Sequence, residues 1–273
     1  MDRVSSIATR ASEKSSESGS LARGLQVMGV LHTAMRSMGI SEIAEETGLA
    51  SSTVHRLLQT LVEHGQVTRT PASRYRPSAR SLLPLLLDHP VSALRRDSSE
   101  LLRTLCTRYG PSTSLILFFG HERALIELAL GRYSVTPYYD THLSNPYHAT
   151  VSGKLLLSGL APMERALLLG DQPLRAPTPN TVVDREALEH ELALVQAEGY
   201  ATNTHENVVG ISAVGARLMS PSQRNIGAIV MSGPSEYFGA EAQAGMKRDL
   251  MQTADLLNST SSALRAVARY LTE

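Results

Sequence analysis

The apolar positions of this chain change period along its length, and each change predicts an element. Leu21, Leu25, Met28, Leu31 and Met35 recur every three or four residues, a stripe that predicts a helix stopped by Gly39. Ser41–Thr47 follows with Ile43 and Ala44 apolar and Glu42, Glu45 and Glu46 charged, a short helix with Ser41 as its expected N-cap. Gly48 suits the left-handed turn that ends such a helix, and Leu49 lies beyond it. Val54, Leu57, Leu58, Leu61 and Val62 then share one face of a further helix. Its start, Ser51-Ser52-Thr53, offers capping hydroxyls, and Gly65 ends it. The opposite face carries Ser52, His55, Arg56, Gln59 and Glu63. Across VTRTPASRYR two short extended runs flank Pro71-Ala72-Ser73, which reads as a small hairpin. Helix, tight turn, helix and hairpin make a winged helix-turn-helix, a form that lays its second helix in the DNA major groove.

Beyond it the pattern changes twice. Residues 78–97 hold Leu82, Leu83, Leu85, Leu86 and Leu87, broken by Pro84 and Pro90. Leucines this dense predict a linker helix buried against the second domain or a second subunit. A dimer follows naturally, because two wings one DNA turn apart bind far better than one. The remainder alternates between strands and helices. A helix over Ser98–Tyr109 precedes strands at Ser112–Phe119 and Ala124–Leu130, with a candidate third at 132–139. Helices are expected at Ser152–Leu160, Pro162–Leu169 and Asp184–Glu198. Three more strands (Tyr200–His205, Gly210–Met219, Ile226–Ser232) lead to one long closing helix, Ala240–Tyr270. The expected fold is thus α+β with two domains. A disordered arm covers 1–20, the DNA-binding domain 21–77, the linker helix 78–97, and a mixed α/β domain 98–273.

Charge sharpens the first domain and says little about the rest. From Ser51 to Arg76, Arg56, Arg69, Arg74 and Arg76 stand against Glu63 alone, a net charge of +3, whereas Ser41–Ala50 carries −3. The positive charge sits on the elements that would meet phosphate. The whole chain of 273 residues has a formal net charge of zero, so affinity for nucleic acid has to come from that patch. Arg3, Arg10 and Lys14 of the Ser-rich arm are largely offset by Glu13 and Glu17. The single cysteine, Cys106, excludes an intramolecular disulfide and fits a reducing cytoplasm. No apolar run is long enough to span a bilayer, so no membrane partner is expected.

The segments SLARGLQVMGVL, ISEIAEETGLASSTVHRLLQTLVEHGQV and SRYRPSARSLL carry Arg23, Glu42-Ile43-Ala44, Thr47-Gly48-Leu49, Ser52 through Leu58, Thr60-Leu61 and Arg74-Tyr75. They resemble the N-terminal domain of IclR-family transcriptional regulators. Two positions depart from the family pattern. Ser51 stands where a lysine is usual, and Arg76-Pro77 where an apolar residue and glycine are usual. HATVSGK, TPNTVVDREALEHEL, EGYATNTHENVVGIS and IVMSGP resemble, in order, the elements of the family's GAF-like effector domain. The resemblance runs from about Leu21 to Leu264. It implies a homodimer or dimer of dimers that binds a double-stranded operator, with repression the expected mode and a small-molecule effector modulating it.

Position and charge on the reading head single out the DNA contacts, and the resemblance assigns the effector pocket. Ser51, Ser52, Thr53, His55 and Arg56 would read bases or fix phosphates. Arg69, Arg74 and Arg76 would grip the backbone, while Arg23 fits a phosphate contact or a helix–helix contact equally. The effector pocket would be formed by Thr150, Val151, Ser152, Asn203, His205, Ile211, Ala213, Val230 and Ser232. Where members that bind small oxoacids have an aspartate, a cysteine and a serine, this chain has Asn203, Ala213 and Val230, and Val151 replaces a small residue. A small carboxylate needs several converging donors. The loss of some of them points to an aromatic or other partly apolar acid. Against that stands the reading that polar groups are supplied from elsewhere, such as Arg132, His142 or His148.

Other chemistry is thin. Ser152 and Lys154 lie two apart on a helix and point different ways, so Lys154 reads as a structural contact rather than half of a nucleophile pair. There is no phosphate loop, and His142, His148 and His205 lack paired metal-ligand spacing, so no cofactor or metal is expected. The nine methionines are read as core packing. The competing reading is a metabolite-binding protein or enzyme that uses the helix-turn-helix only to dimerise. Against it, the second domain shows no acid–base pair, nucleophile or cofactor fingerprint, while the first has a positive reading head.

Overall fold

The structure is a computed structural model that describes residues 19–34, 36–82, 85–132 and 143–272. The expected arm with Arg3, Arg10 and Lys14, the third strand, and Met35, Leu83, Pro84 and His142 lie outside the described residues. The chain divides into two compact units between Leu86 and Leu87.

The first unit is built from α1 (Ser20–Ala34), α2 (Ile40–Thr47), α3 (Ser51–Glu63), an antiparallel pair β1 (Val67–Arg69) and β2 (Tyr75–Pro77), and the short α4 (Ala79–Leu82). Its core joins Val27 and Leu31 to Ile43, Val54, Leu58, Val67 and Tyr75. The buried face of α1 is Gly24, Val27 and Leu31, while Leu21 and Leu25 are exposed, so the expected stripe is displaced. Gly24 faces Leu57 of α3, and a Cβ there would make an ordinary contact of 3.9 Å with the Leu57 side chain.

Two caps also differ from expectation. Gly39, not Ser41, is the N-cap of α2, and its N–H is taken by the Glu42 carboxylate at 2.7 Å. Helix α3 starts after Ala50, and no side chain caps it, so Ser51 and Ser52 keep exposed hydroxyls. Gly48 has φ +67°, the left-handed turn its position requires.

The second unit begins with α5 (Pro90–Tyr109), capped by His89. The helix expected over 78–97 is therefore two pieces. The short α4 closes the first unit, and α5 runs through the residues assigned to the linker into the helix expected at 98. Leu82, Leu85, Leu86 and Leu87 are exposed in the single chain.

Strands β3 (Ser112–Phe119), β4 (Glu122–Ala129), β5 (Tyr200–Thr204), β6 (Ile211–Met219) and β7 (Asn225–Pro234) form one sheet in the order β4-β3-β7-β6-β5. Every pairing is antiparallel. Period-two alternation divides the side chains between two cores. Leu115, Leu117, Val214, Ala216, Ile229 and Met231 pack with α5, α9 (Ala240–Thr260) and α10 (Ser262–Thr272). Ile116, Phe118, Ala228 and Val230 face the other side, covered by α6 (Val151–Ser158), with α7 (Pro162–Leu169) and α8 (Arg185–Glu198) beyond.

The expected single closing helix breaks at Ser261. The Ser261 hydroxyl donates to Asp97 at 2.6 Å and accepts the N–H of Leu264, so a tertiary contact ends α9 and caps α10.

Candidate DNA-contacting face and ligand cavity

Helix α3 buries Val54, Leu57 and Leu58, which leaves Ser51, Ser52, His55, Arg56 and Gln59 exposed on its other side, with Thr53 half-buried. Arg56 makes no side-chain hydrogen bond or ion pair among the described residues, and neither does Arg76. Among the described residues the Arg69 side chain donates one hydrogen bond, to the Ser73 hydroxyl at 3.0 Å, and lies 6.0 Å from the centre of the Tyr75 ring. Arg23 is half-buried and likewise has no ion pair among the described residues.

Arg74 differs. Its guanidinium donates to the Ser37 carbonyl at 3.2 and 2.8 Å and to Glu42 Oε2 at 2.6 Å. Beside it, Tyr75 and Met38 exchange two backbone bonds of 2.8 Å. Arg74-Tyr75 thus anchors the wing to the start of α2. Its charge is already matched inside the unit, unlike those of Arg56, Arg69 and Arg76.

Glu42 is the hub of that anchor. The Gly39 N–H, then Arg36 at 2.7 Å and the charge of Arg74 hold its carboxyl down to about 2, against an ordinary 4.5. The folded value is the lower one, so the carboxylate's contribution is present above pH 4.5 and is lost as pH falls towards 2. The stability difference between the wild type and Glu42→Gln should accordingly be constant near neutrality and shrink below pH 4.5 in acid titrations followed by circular dichroism. A difference independent of pH would show that the anchor does not depend on this charge.

In the second unit, one cavity of about 130 Å³ opens between the sheet and the start of α6. Alternation puts Ser114 and Ile116 of β3, Ile211 and Ala213 of β6, Val230 and Ser232 of β7 and Asn203 of β5 on the same sheet face. Gly215 lacks a side chain, and Val151 occupies that space, bringing the N-terminus of α6 down on the sheet. Thr150, Val151, Ser152, Asn203, Ile211, Ala213, Val230 and Ser232 all line this cavity. His205 does not. Its ring Nδ1 accepts the Gly210 N–H at 2.8 Å in the β5–β6 loop. His148 is buried with Nε2 on the Arg175 carbonyl at 2.8 Å, and burial pushes its pKa down.

The polar groups have unequal freedom. Asn203 donates to the Ala149 carbonyl and accepts the Glu206 N–H at 3.2 Å, so it joins the 3₁₀ turn before α6 to the loop after β5. An aspartate there has no N–H for Ala149. Ser114 donates to the Val230 carbonyl at 3.2 Å. Thr150 caps α6 by accepting the Gly153 N–H and gives its proton to the Pro146 carbonyl, both at 3.2 Å.

Residues not anticipated from the sequence add to the lining: Leu125, Leu143, Asn145, Asn207 and Val208, besides Ser114 and Ile116. Ser114 and Ile116 are open to the period-two argument once the inner face of β3 is fixed. The others come from loops and from the register of β4, which carry no comparable pattern.

A winged helix-turn-helix with arginines free on its outer face, joined to a domain built around a small cavity, defines the class: a DNA-binding regulator with an effector domain. The family models agree. The IclR helix-turn-helix domain matches residues 20–71, and the C-terminal domain of bacterial IclR transcriptional regulators matches residues 91–259. The chain belongs to the IclR family of transcriptional regulators.

Among relatives, the regulator XynR of Escherichia coli is 29% identical over 85% of this chain and 93% of its own length. The repressor IclR of Escherichia coli is 26% identical over 79% and 80%. In fold, the Thermotoga maritima IclR structure matches with a TM-score of 0.71 at 24% identity, covering 93% of this chain and 98% of that one. An IclR homologue from Microbacterium hydrocarbonoxydans, solved with 4-hydroxybenzoate, matches with 0.73 at 22% identity, covering 92% and 100%.

Proposed function

We propose that this protein represses transcription from the cytoplasm as a homodimer or dimer of dimers, and that a partly apolar organic acid of about one ring in size modulates its hold on the operator. The cavity's composition carries the effector reading. Ile116, Leu125, Ile211, Ala213 and Val230 supply apolar wall, while hydrogen-bonding groups gather where Thr150, Ser152 and Asn145 lie. A void of about 150 Å³ lined by apolar side chains is known to hold benzene. At about 130 Å³ this cavity suits a single ring or its aliphatic equivalent and leaves a two- or three-carbon oxoacid short of contacts. The bound 4-hydroxybenzoate of the Microbacterium homologue supports the same size class.

Operator contact is assigned to Ser51, Ser52, Thr53, His55 and Arg56 on α3 and to Arg69 and Arg76 on the wing, with Arg74 holding the wing in place. The uncapped start of α3 adds free N–H groups that suit a phosphate. Arg56→Ala should weaken operator binding by roughly 1–3 kcal/mol if the guanidinium reads a base. An equal loss on random DNA in the same gel-shift titration would make it a phosphate contact. Arg74→Ala should instead lower the melting temperature of the DNA-binding unit.

A thermal-shift series tests the effector reading. A ligand at a hundredfold its Kd adds roughly 2.7 kcal/mol of stability. Benzoate-sized acids should shift the second unit. A shift with glyoxylate or pyruvate alone would overturn the size argument.

A further inference from the structure

The most unusual side chain near the cavity is one the sequence places in a hairpin turn. Arg123, at the start of β4, is 3% exposed and has no carboxylate within ion-pair distance among the described residues. Its guanidinium donates from Nη1 to Thr150 Oγ1 at 2.7 Å and to Ser152 Oγ at 3.3 Å, and from Nη2 to the carbonyls of Leu143 (3.1 Å) and Asn145. All four partners line the cavity. The ring of Tyr147 lies 4.4 Å from the guanidinium carbon, and Nε is buried with no acceptor among the described residues. Burial pushes the pKa down to about 10, which still leaves the group protonated at neutral pH.

A buried cation matched only by neutral dipoles is costly. The arrangement shows where that charge is felt. Thr150 and Ser152 accept from Arg123, so their own protons must point elsewhere. The Thr150 proton goes to Pro146, whereas that of Ser152 has no acceptor among the described residues. Beside it, the N–H groups of Val151 and Ser152 belong to the first turn of α6, where a helix supplies no acceptors of its own. Three donors therefore meet at one end of the cavity with a full positive charge one hydroxyl layer behind them.

We infer that Arg123 is a specificity-determining residue of this cavity: through Ser152 and Thr150 it imposes a single negative charge on the effector at that end, with the apolar body lying against Ile116 and Val230. This rests on the reading that the cavity is the effector site for an organic acid, and it adds the residue that selects the acid's charge and the end of the cavity where that charge lies. Arg123 acts through the hydroxyls as a positioning and electrostatic residue, so a neutral isostere of the right shape should fill the space and lose the charge.

The test uses full-length protein, calorimetric titration, and benzoate, benzamide and benzylammonium as probes. The wild type should bind benzoate roughly ten- to a hundredfold more tightly than benzamide, the range of a charge-assisted hydrogen bond, and benzylammonium least. Arg123→Gln should remove that preference by weakening benzoate while leaving benzamide nearly unchanged, and Arg123→Lys should retain part of it. Benzoate bound equally by the wild type and Arg123→Gln would overturn the role of Arg123 and leave the effector reading standing. A wild type that binds benzamide or benzylammonium as well as benzoate, or binds none of the three, would overturn both. Where Arg123→Gln fails to fold, Ser152→Ala decides: removing the hydroxyl between Arg123 and the ligand should weaken benzoate and leave benzamide nearly unchanged, and equal benzoate binding by Ser152→Ala and the wild type would overturn the role of Arg123.

Discussion

Replacing Lys154 by methionine should destabilise the C-terminal domain by roughly 3–5 kcal/mol, the cost of stranding buried charge by removing one partner of a buried ion pair. Lys154 has no exposed surface. Its Nζ lies 2.6 Å from Glu191 Oε1 and 2.6 Å from Glu206 Oε2, and donates to Glu206 Oε1 at 2.8 Å and to the Thr202 carbonyl at 3.3 Å. Burial already pushes the Glu206 carboxyl up, with Lys154 opposing the shift. Without the ammonium, Glu206 has either to remain charged in a dry site or to take up a proton.

The loss should reach the cavity too. The Glu206 carbonyl accepts from Thr178 at 3.2 Å and Thr181 at 2.6 Å, and its N–H is held by Asn203. The next two residues, Asn207 and Val208, form cavity wall. Chemical denaturation should show the transition of the second unit shifted, and Lys154→Met combined with Glu206→Gln should recover much of the loss, because paired positions are not additive. A Lys154→Met protein as stable as the wild type would mean that the cluster holds nothing together.

That cluster shows what could be read in the sequence and what could not. Ser152 and Lys154 lie two apart on a helix, which sends the lysine away from the serine and makes it a structural contact, as the geometry has it. Its partners stand 37 and 52 residues further on, so no local pattern names them. The helix-turn-helix is legible because its signals are local: an apolar face on α3, a left-handed turn at Gly48, a hairpin around Pro71. The inward use of Arg74 is not, since Glu42 and Ser37 are more than thirty residues away.

In the effector domain, alternation marks the strands, and the family motifs mark eight of the residues that line the cavity. The motifs do not distinguish a free hydroxyl such as Ser152 from a spent amide such as Asn203. Arg123 carries no sequence signal at all, because a charged residue in a four-residue turn normally faces water. Only the packing of the segment around Leu143–Asn145 and of Tyr147 over it makes it an interior cation.

The glycine between Ser152 and Lys154 carries the other large effect. Helix propensity alone favours alanine over glycine at position 153 by about 1 kcal/mol. Gly153→Ala should nevertheless be strongly destabilising. A Cβ on Gly153 would lie 2.1 Å from the Tyr147 carbonyl oxygen and 2.5 Å from its Cα, both backbone atoms with no rotamer to escape into. The 3₁₀ turn Tyr147–Ala149 would have to move off α6. That turn places the Tyr147 ring over Arg123, and the Ala149 carbonyl receives Asn203. Overpacking typically costs about 1–3 kcal/mol, and a clash confined to backbone belongs at or above the top of that range, so it outweighs the propensity gain. Two-transition melts should show the C-terminal unit lowered and benzoate binding abolished, while the DNA-binding unit, whose core contains none of these residues, unfolds as in the wild type. A Gly153→Ala protein with unchanged or raised stability would show that α6 and the turn are less tightly apposed than the structure has them.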